Sequence, residues 1–161
     1  MDRLWTPWRM QYVTSAGAPT ETCLFCDKAA DTHDAENLLV FRGERAYVLL
    51  NLFPYNTGHV MVAPYQHTAD LASLDPAVAT EIFALTQRSV RALELEYHPQ
   101  GFNIGMNLGR VAGAGIPDHL HLHVVPRWGG DTNFMTVTAD TKVMPESLDR
   151  TYQRLKPRFE G

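Results

Sequence analysis

With 161 residues, of which 45% are hydrophobic and 20% charged, the chain is long enough to bury a core of its own and has the size of one domain. Its formal charge of −4 argues against bulk nucleic-acid binding, which needs clustered Lys and Arg. No apolar run approaches the ~20 residues of a membrane span, and two cysteines are too few for a secreted disulfide framework, so we expect a cytoplasmic protein that binds neither membranes nor nucleic acid.

The N-terminal part of the chain is aromatic at first and then loop-like. Residues 1–22 begin with two tryptophans and lack the apolar core of a secretory signal. We expect them to pack as an extension on a single domain that covers residues 1–161. The pair Cys23 and Cys26 follows, and a polar stretch then extends through Asn37.

Short strands and one long helix are predicted after the cysteines. Asp75 and Pro76 indicate the start of a helix, because Asp caps the free N–H groups of a first turn and Pro suits its first position. Apolar residues at helical spacing continue this helix to Tyr97, and an amphipathic helix is predicted over 145–156. Alternating apolar residues bounded by turn residues predict strands at 38–42, 45–51, 59–63, 101–107 and 119–125. This pattern is typical of an α+β domain built on an antiparallel sheet.

The last of these strands carries three histidines. His119, His121 and His123 alternate with apolar residues, which puts the three imidazoles on one strand face about 6.6 Å apart. A core strand has no packing use for such a row, so we interpret it as a functional site. The strand alone leaves open a nucleophilic or acid–base site, an all-histidine metal site, and a merely solvated strand face.

The cysteine pair has the spacing of half a metal site. Cys23 and Cys26 can both reach one tetrahedral zinc, with His67 and one strand histidine as candidates for the other two ligands. A redox pair and two inert thiols are the alternatives. The redox interpretation is disfavoured because the pair does not stand at the start of a helix within a βαβ unit. Four protein ligands would make the site structural.

A Gly-rich loop over residues 108–117 precedes the histidine strand. Glycines let backbone N–H groups approach a phosphate, and Asn107 can donate from its amide. A neutral imidazole beside a phosphate is a competent nucleophile, and attack on phosphorus would divide one displacement into two easier steps. The sequence has no P-loop, which excludes Walker-type nucleotide binding.

In combination, these motifs resemble the histidine triad (HIT) family. Residues 119–125 resemble the family signature, and 48–54, 58–64 and 83–88 resemble stretches of its Fhit-like branch of diadenosine polyphosphate hydrolases. Residues 23–26 and 64–67 resemble its zinc-containing bacterial members, and 4–10 and 126–131 its diadenosine tetraphosphate phosphorylases. The resemblance implies a HIT-like fold: an antiparallel sheet of about five strands with one long helix and a C-terminal helix, in a homodimer.

The resemblance also implies a reaction and the residues that carry it. The reaction is cleavage of dinucleoside polyphosphates, such as diadenosine tetraphosphate, by hydrolysis or phosphorolysis through a nucleotidyl-histidine intermediate. The implied nucleophile is His121, with His123 and His59 contacting phosphate or the neighbouring imidazoles. The implied ligands of a structural zinc are Cys23, Cys26, His67 and His119. The implied nucleotide contacts are Asn51 for the ribose, Leu49 and Phe25 for the base, and Asn107 with the backbone of Gly113, Ala114 and Gly115 for phosphate.

One departure from the family concerns the leaving group. Relatives carry Gln or Ser in the loop before the histidine strand, whereas this chain has Ala114, Gly115, Ile116 and Pro117, none of which has a side-chain donor. We therefore expect backbone N–H groups or His123 to activate the leaving group, with hydrolysis slightly favoured. The alternatives are a phosphorylase that uses inorganic phosphate, and a purine-nucleotide-binding protein with weak phosphoramidase activity.

Overall fold

The architecture is a five-stranded sheet with helices, seen in a computed structural model that describes residues 22–131 and 144–160. The strands are β1 (Leu39–Arg42), β2 (Ala46–Leu50), β3 (Val60–Pro64), β4 (Gly101–Met106) and β5 (Leu122–Arg127). Their order across the sheet is β1-β2-β3-β5-β4, and every neighbouring pair is antiparallel. The predicted α+β fold with an antiparallel sheet is confirmed.

Within residues 22–131 and 144–160, three helices accompany the sheet: α1 (Leu24–Ala30), α2 (Pro76–Tyr97) and α3 (Leu148–Leu155), with 3₁₀ turns at Arg110–Ala112 and Lys156–Phe159. The predicted start of α2 is confirmed, since the Asp75 side chain accepts a hydrogen bond from the Ala77 N–H at 2.7 Å. The prediction for α3 began too early, because Ser147 is its cap and accepts from the Arg150 N–H. Helix α1 was not predicted, because seven residues are too few to show a helical period.

The two faces of the sheet bury different residues. Helix α2 packs on one face, where Val48, Val62 and Val124 belong to the larger apolar core. The opposite face holds a smaller cluster that includes Phe25 of α1 with Leu49 and Met61. Because side chains alternate along a strand, this second face also receives His123, which lies directly across from Met61.

Strand β5 begins later than predicted, at Leu122, so that His119 and His121 precede the hydrogen-bonded ladder. The reason is a competing partner, because the Leu120 N–H donates to the carbonyl of Thr68 in the loop after β3. The alternation nevertheless holds in this segment, since Leu120 and Leu122 enter the larger core.

Of the predicted extension at 1–22, only Thr22 is among the described residues, so its packing and the single-domain assignment of 1–161 stay predictions. In the part of the chain that the structure describes, no helix is long and apolar enough to cross a membrane.

Candidate metal centre and histidine site

The four predicted metal ligands come together, with their ligand atoms all within 4.8 Å of one another. The Nδ1 atom of His119 lies 3.3 Å from Cys23 Sγ, 3.6 Å from Cys26 Sγ and 3.3 Å from His67 Nδ1. Cys26 Sγ lies 3.4 Å from His67 Nδ1. Among the described residues this is the one group suited to a metal ion, and it includes a single histidine of the strand motif.

These separations fit four ligands around one ion. Tetrahedral zinc, with bonds of about 2.0–2.1 Å to nitrogen and about 2.3 Å to sulfur, separates two nitrogens by about 3.3 Å and nitrogen from sulfur by about 3.5 Å. The ring of His119 is also oriented for ligation, because its Nε2–H donates to the carbonyl of Pro64 at 2.8 Å. The lone pair therefore lies on Nδ1, the atom that faces the two sulfurs.

The charges of the cluster agree with a cation site. Burial lowers the pKa of His119, which keeps its ring neutral. Burial and the neighbouring Cys23 raise the pKa of the Cys26 thiol. A bound metal ion would favour the ionised form of the Cys26 thiol.

Helix α1 presents the cysteines. Cys23 is its N-cap residue and Cys26 follows three positions later, which places both on one side of the first turn. Contrary to our expectation, the pair does stand at the start of a helix, although the surrounding antiparallel strands form no βαβ unit. Side chains of the sheet hold the helix in place. Tyr47 Oη of β2 donates to the carbonyl of Phe25 at 2.8 Å, and Arg42 of β1 donates to the carbonyl of Ala29 at 2.7 Å.

The central histidine has a fixed tautomer. His121 is buried, and its Nδ1–H donates to the backbone carbonyl of His119 at 2.8 Å. Burial lowers the pKa of His121, so the ring is neutral and its lone pair lies on Nε2. Its ring centroid lies 4.8 Å from that of Phe25 and 4.9 Å from that of His123. A neutral imidazole held in this way is suited to nucleophilic attack.

His59 and His123 form a second chain of hydrogen bonds. The backbone N–H of Tyr55 donates to His59 Nδ1 at 3.0 Å, so His59 carries its proton on Nε2 and donates it to His123 Nδ1 at 2.9 Å. Burial, and secondarily the neighbouring His121, lower the pKa of His123 to about 4. At neutral pH His123 is therefore uncharged, with its proton on Nε2, where it can donate.

The residues predicted to contact the nucleotide lie on several elements, and their roles stay predictions. Phe25 and Leu49 are each 1% exposed; Phe25 packs against His121, and Leu49 pairs with Met61 on the sheet. The side-chain oxygen of Asn51 accepts from the Phe53 N–H at 2.9 Å, and Asn107 follows β4 directly.

In the Gly-rich loop, two of the three predicted phosphate donors are engaged. The Gly113 N–H donates to the Arg110 carbonyl and the Ala114 N–H to the Gly109 carbonyl. The Gly115 N–H, by contrast, has no hydrogen-bond partner among the described residues. The loop as it stands therefore offers one backbone donor from these positions rather than three.

Sequence reasoning missed the groups that set the three tautomers. They are the carbonyls of Pro64 and His119 and the N–H of Tyr55. Every residue has a backbone carbonyl, and every residue except Pro has a backbone N–H. No sequence signal could therefore have identified these particular groups. The Tyr55 ring, 4.6 Å from that of His59, was missed as well, although its place four residues before a site histidine was a usable signal.

Comparisons with known proteins agree with this geometry. The HIT domain family matches residues 32–130, a span that begins after the two cysteines. A protein of Mycobacterium tuberculosis named AP-4-A phosphorylase is 42% identical over 161 residues, covering 96% of this chain and 83% of the relative. The crystal structure of a Zn-bound histidine triad family protein from Mycobacterium smegmatis is 27% identical, with a TM-score of 0.68 over 87% of this chain and 94% of that one. The fold, at 17% identity and a TM-score of 0.59, also matches Plasmodium falciparum diadenosine triphosphate hydrolase over 76% of this chain and 74% of that one.

Proposed function

Because this chain belongs to the HIT domain family, we propose that it is an enzyme that cleaves dinucleoside polyphosphates of the diadenosine tetraphosphate type through a nucleotidyl-His121 intermediate. The observation that carries the proposal is the pair of fixed tautomers, with a lone pair on His121 Nε2 and a proton on His123 Nε2. The relative named AP-4-A phosphorylase supports the substrate class.

The first half-reaction forms a phosphorus–nitrogen bond. His121 Nε2 attacks the α-phosphorus, and the phosphoanhydride bond breaks with its electron pair going to the leaving nucleotide. The Nδ1–H bond to the His119 carbonyl stabilises the positive charge that develops on the ring. His123 Nε2–H donates to a phosphate oxygen. It would take the place of a side-chain donor from the loop, since residues 114–117 have none.

In the second half-reaction an acceptor oxygen attacks the same phosphorus and the phosphorus–nitrogen bond breaks, which restores neutral His121. Water as acceptor releases AMP, and inorganic phosphate releases ADP. The loop without Ser favours water, whereas the name of the 42% identical relative favours phosphate. Our primary proposal is hydrolysis, with phosphorolysis as the second candidate.

Product analysis by ion-exchange chromatography tests both candidates. Incubation with diadenosine tetraphosphate should give ATP and AMP regardless of added phosphate if the enzyme is a hydrolase, and ATP and ADP only with phosphate if it is a phosphorylase. His121→Asn should abolish turnover. His98→Asn is a matched control, because His98 is exposed and has a φ of 48°, which Asn tolerates. Full turnover by His121→Asn would refute the assigned nucleophile. Nucleotide binding without turnover by the native protein would instead support a binding protein.

We also propose that the group of Cys23, Cys26, His67 and His119 holds a structural zinc ion. The support is the tetrahedral spacing of the donors and the Zn-bound relative. Four protein ligands leave no open position for a substrate, so the ion would hold α1 and the His119 segment together. A zinc site needs both cysteines as reduced thiols, which supports the proposal that the protein is cytoplasmic.

A homodimer through the edge strand β4 is the proposed assembly. Within the described residues no strand covers the outer side of β4, where Ile104 is exposed, and α2 exposes Phe83. Light scattering should give twice the chain mass of 18.1 kDa. Ile104→Asp should give a monomer, whereas Leu71→Asp, at an exposed apolar residue outside β4 and α2, should not. A monomeric native protein would refute this assembly.

A further inference from the structure

A buried carboxylate lies just beyond β5 and accepts hydrogen bonds from two parts of the chain. Asp131, with its side chain 8% exposed, accepts from Arg127 through Nε at 2.5 Å and Nη2 at 2.9 Å, and from the Trp128 N–H at 3.2 Å. The Arg127 guanidinium holds the pKa of Asp131 well below its usual range, so the carboxylate is ionised. Its fourth donor, Asn56, comes from the loop between β2 and β3.

Asn56 joins that loop to the end of β5. Its side-chain Nδ2 donates to Asp131 Oδ2 at 2.8 Å and to the carbonyl of Pro126 at 3.0 Å, which uses both amide hydrogens. The side chain is buried. Asn56 therefore fixes the loop against β5, the strand that carries His123.

The same loop determines the tautomer of His59. The carbonyl of Asn56 accepts from the His59 N–H at 3.1 Å, and the N–H of Tyr55 is the donor to His59 Nδ1. Gly58 suits the turn of this loop, because its φ is 80° and an added Cβ would lie 2.8 Å from Leu93 Cδ2. A displaced Tyr55 N–H would leave His59 free to carry its proton on either nitrogen.

We propose that Asp131 and Asn56 are positioning residues, which act through residues 55–59 to hold His59 and His123 in the tautomers that the reaction uses. An ion pair whose arginine side chain is 42% exposed gives little net stability, so we attribute its geometry to orientation of the loop. The kinetic part of the proposal rests on the proposed function, whereas the tautomers can be observed without any turnover.

The test combines imidazole NMR with kinetics on the 161-residue chain, purified in the presence of zinc. Long-range ¹H–¹⁵N spectra distinguish Nδ1–H from Nε2–H tautomers, and the native protein should show Nε2–H at His59. Asp131→Ala should mix the tautomers of His59 and His123 and lower kcat by about tenfold, with KM changed less. Asp131→Asn keeps an oxygen for Asn56 and should recover part of kcat.

Two further variants separate positioning from general destabilisation. Asn56→Ala should lower kcat like Asp131→Ala, and the double variant should be no worse than either, because both act through one loop. Glu96→Gln is the control, since Glu96 is similarly buried and paired with Arg154 and Arg158 away from the histidines. If Asp131→Ala and Asp131→Asn changed the NMR signals and kcat no more than Glu96→Gln, the positioning role would be refuted. Absence of turnover in the native protein would refute the proposed function alone, since the NMR result would still decide this inference.

Discussion

Replacing Cys23 with Ser tests how far the fold depends on the metal centre. The larger core under α2 contains none of the four ligands, so the protein should remain folded without the ion. A bound ion would hold α1 and the segment at His119, so these are the parts that its loss should loosen. A ligand that binds only the folded state stabilises it by about 2.7–4.1 kcal/mol when its free concentration is 100–1,000 times its Kd. For a chain of 161 residues, each kcal/mol shifts Tm by about 2–4 °C, so loss of the ion should lower Tm by about 5–16 °C.

The assay is thermal unfolding by circular dichroism, with metal content measured on the same samples. The native protein should hold one zinc ion per chain, and its Tm should fall when a strong chelator is added. Cys23→Ser should start at the lower Tm and show no further response to the chelator. His33→Ser, at an exposed histidine outside the cluster, should behave as the native protein. Equal metal content and Tm in Cys23→Ser and the native protein would refute a structural metal at these residues.

Two other predictions concern the buried histidine and the core. Because the pKa of His123 is about 4 in the folded protein and about 6.5 when unfolded, the unfolded state binds more protons between these values, and the free energy of unfolding should fall by up to about 3 kcal/mol as the pH decreases from 6.5 to 4. In urea titrations at several pH values, the free energy of unfolding of His123→Gln should fall less with decreasing pH than that of the native protein. An identical pH dependence in the two proteins would contradict the shifted pKa. Leu93 is fully buried under the sheet, so Leu93→Ala should cost about 2–5 kcal/mol. Leu95→Ala on the exposed side of the same helix should cost far less in the same urea titration, and equal losses would contradict the packing of α2.

The parts of the fold that could be predicted from the sequence are those with local causes. Asp75 and Pro76 start α2 as predicted because a cap and a first-turn Pro act within a few residues. Helix α1 depends on long-range contacts, such as that of Tyr47 with the Phe25 carbonyl, and seven residues show no period of their own. The start of β5 was misplaced for a similar reason, since Thr68 provides the partner that removes Leu120 from the ladder.

For the site, the sequence indicated which side chains take part but not how they are oriented. The spacing of Cys23 and Cys26 and the choice of His67 predicted a cluster that the fold does assemble. Which strand histidine joins it was not decided by spacing, because all three share one face. The decision depends on where β5 begins and on the Pro64 carbonyl, which accepts from Nε2 of His119 and leaves Nδ1 facing the cysteine sulfurs.

His119 contributes to two centres through two separate parts of one residue. Its ring belongs to the metal group, and its main-chain oxygen accepts the proton of His121. No exchange of side chain at this position can remove that oxygen. A substitution that removes the ring therefore leaves the acceptor of His121 in the chain, and His121 keeps its tautomer as long as the peptide plane of residue 119 stays in place.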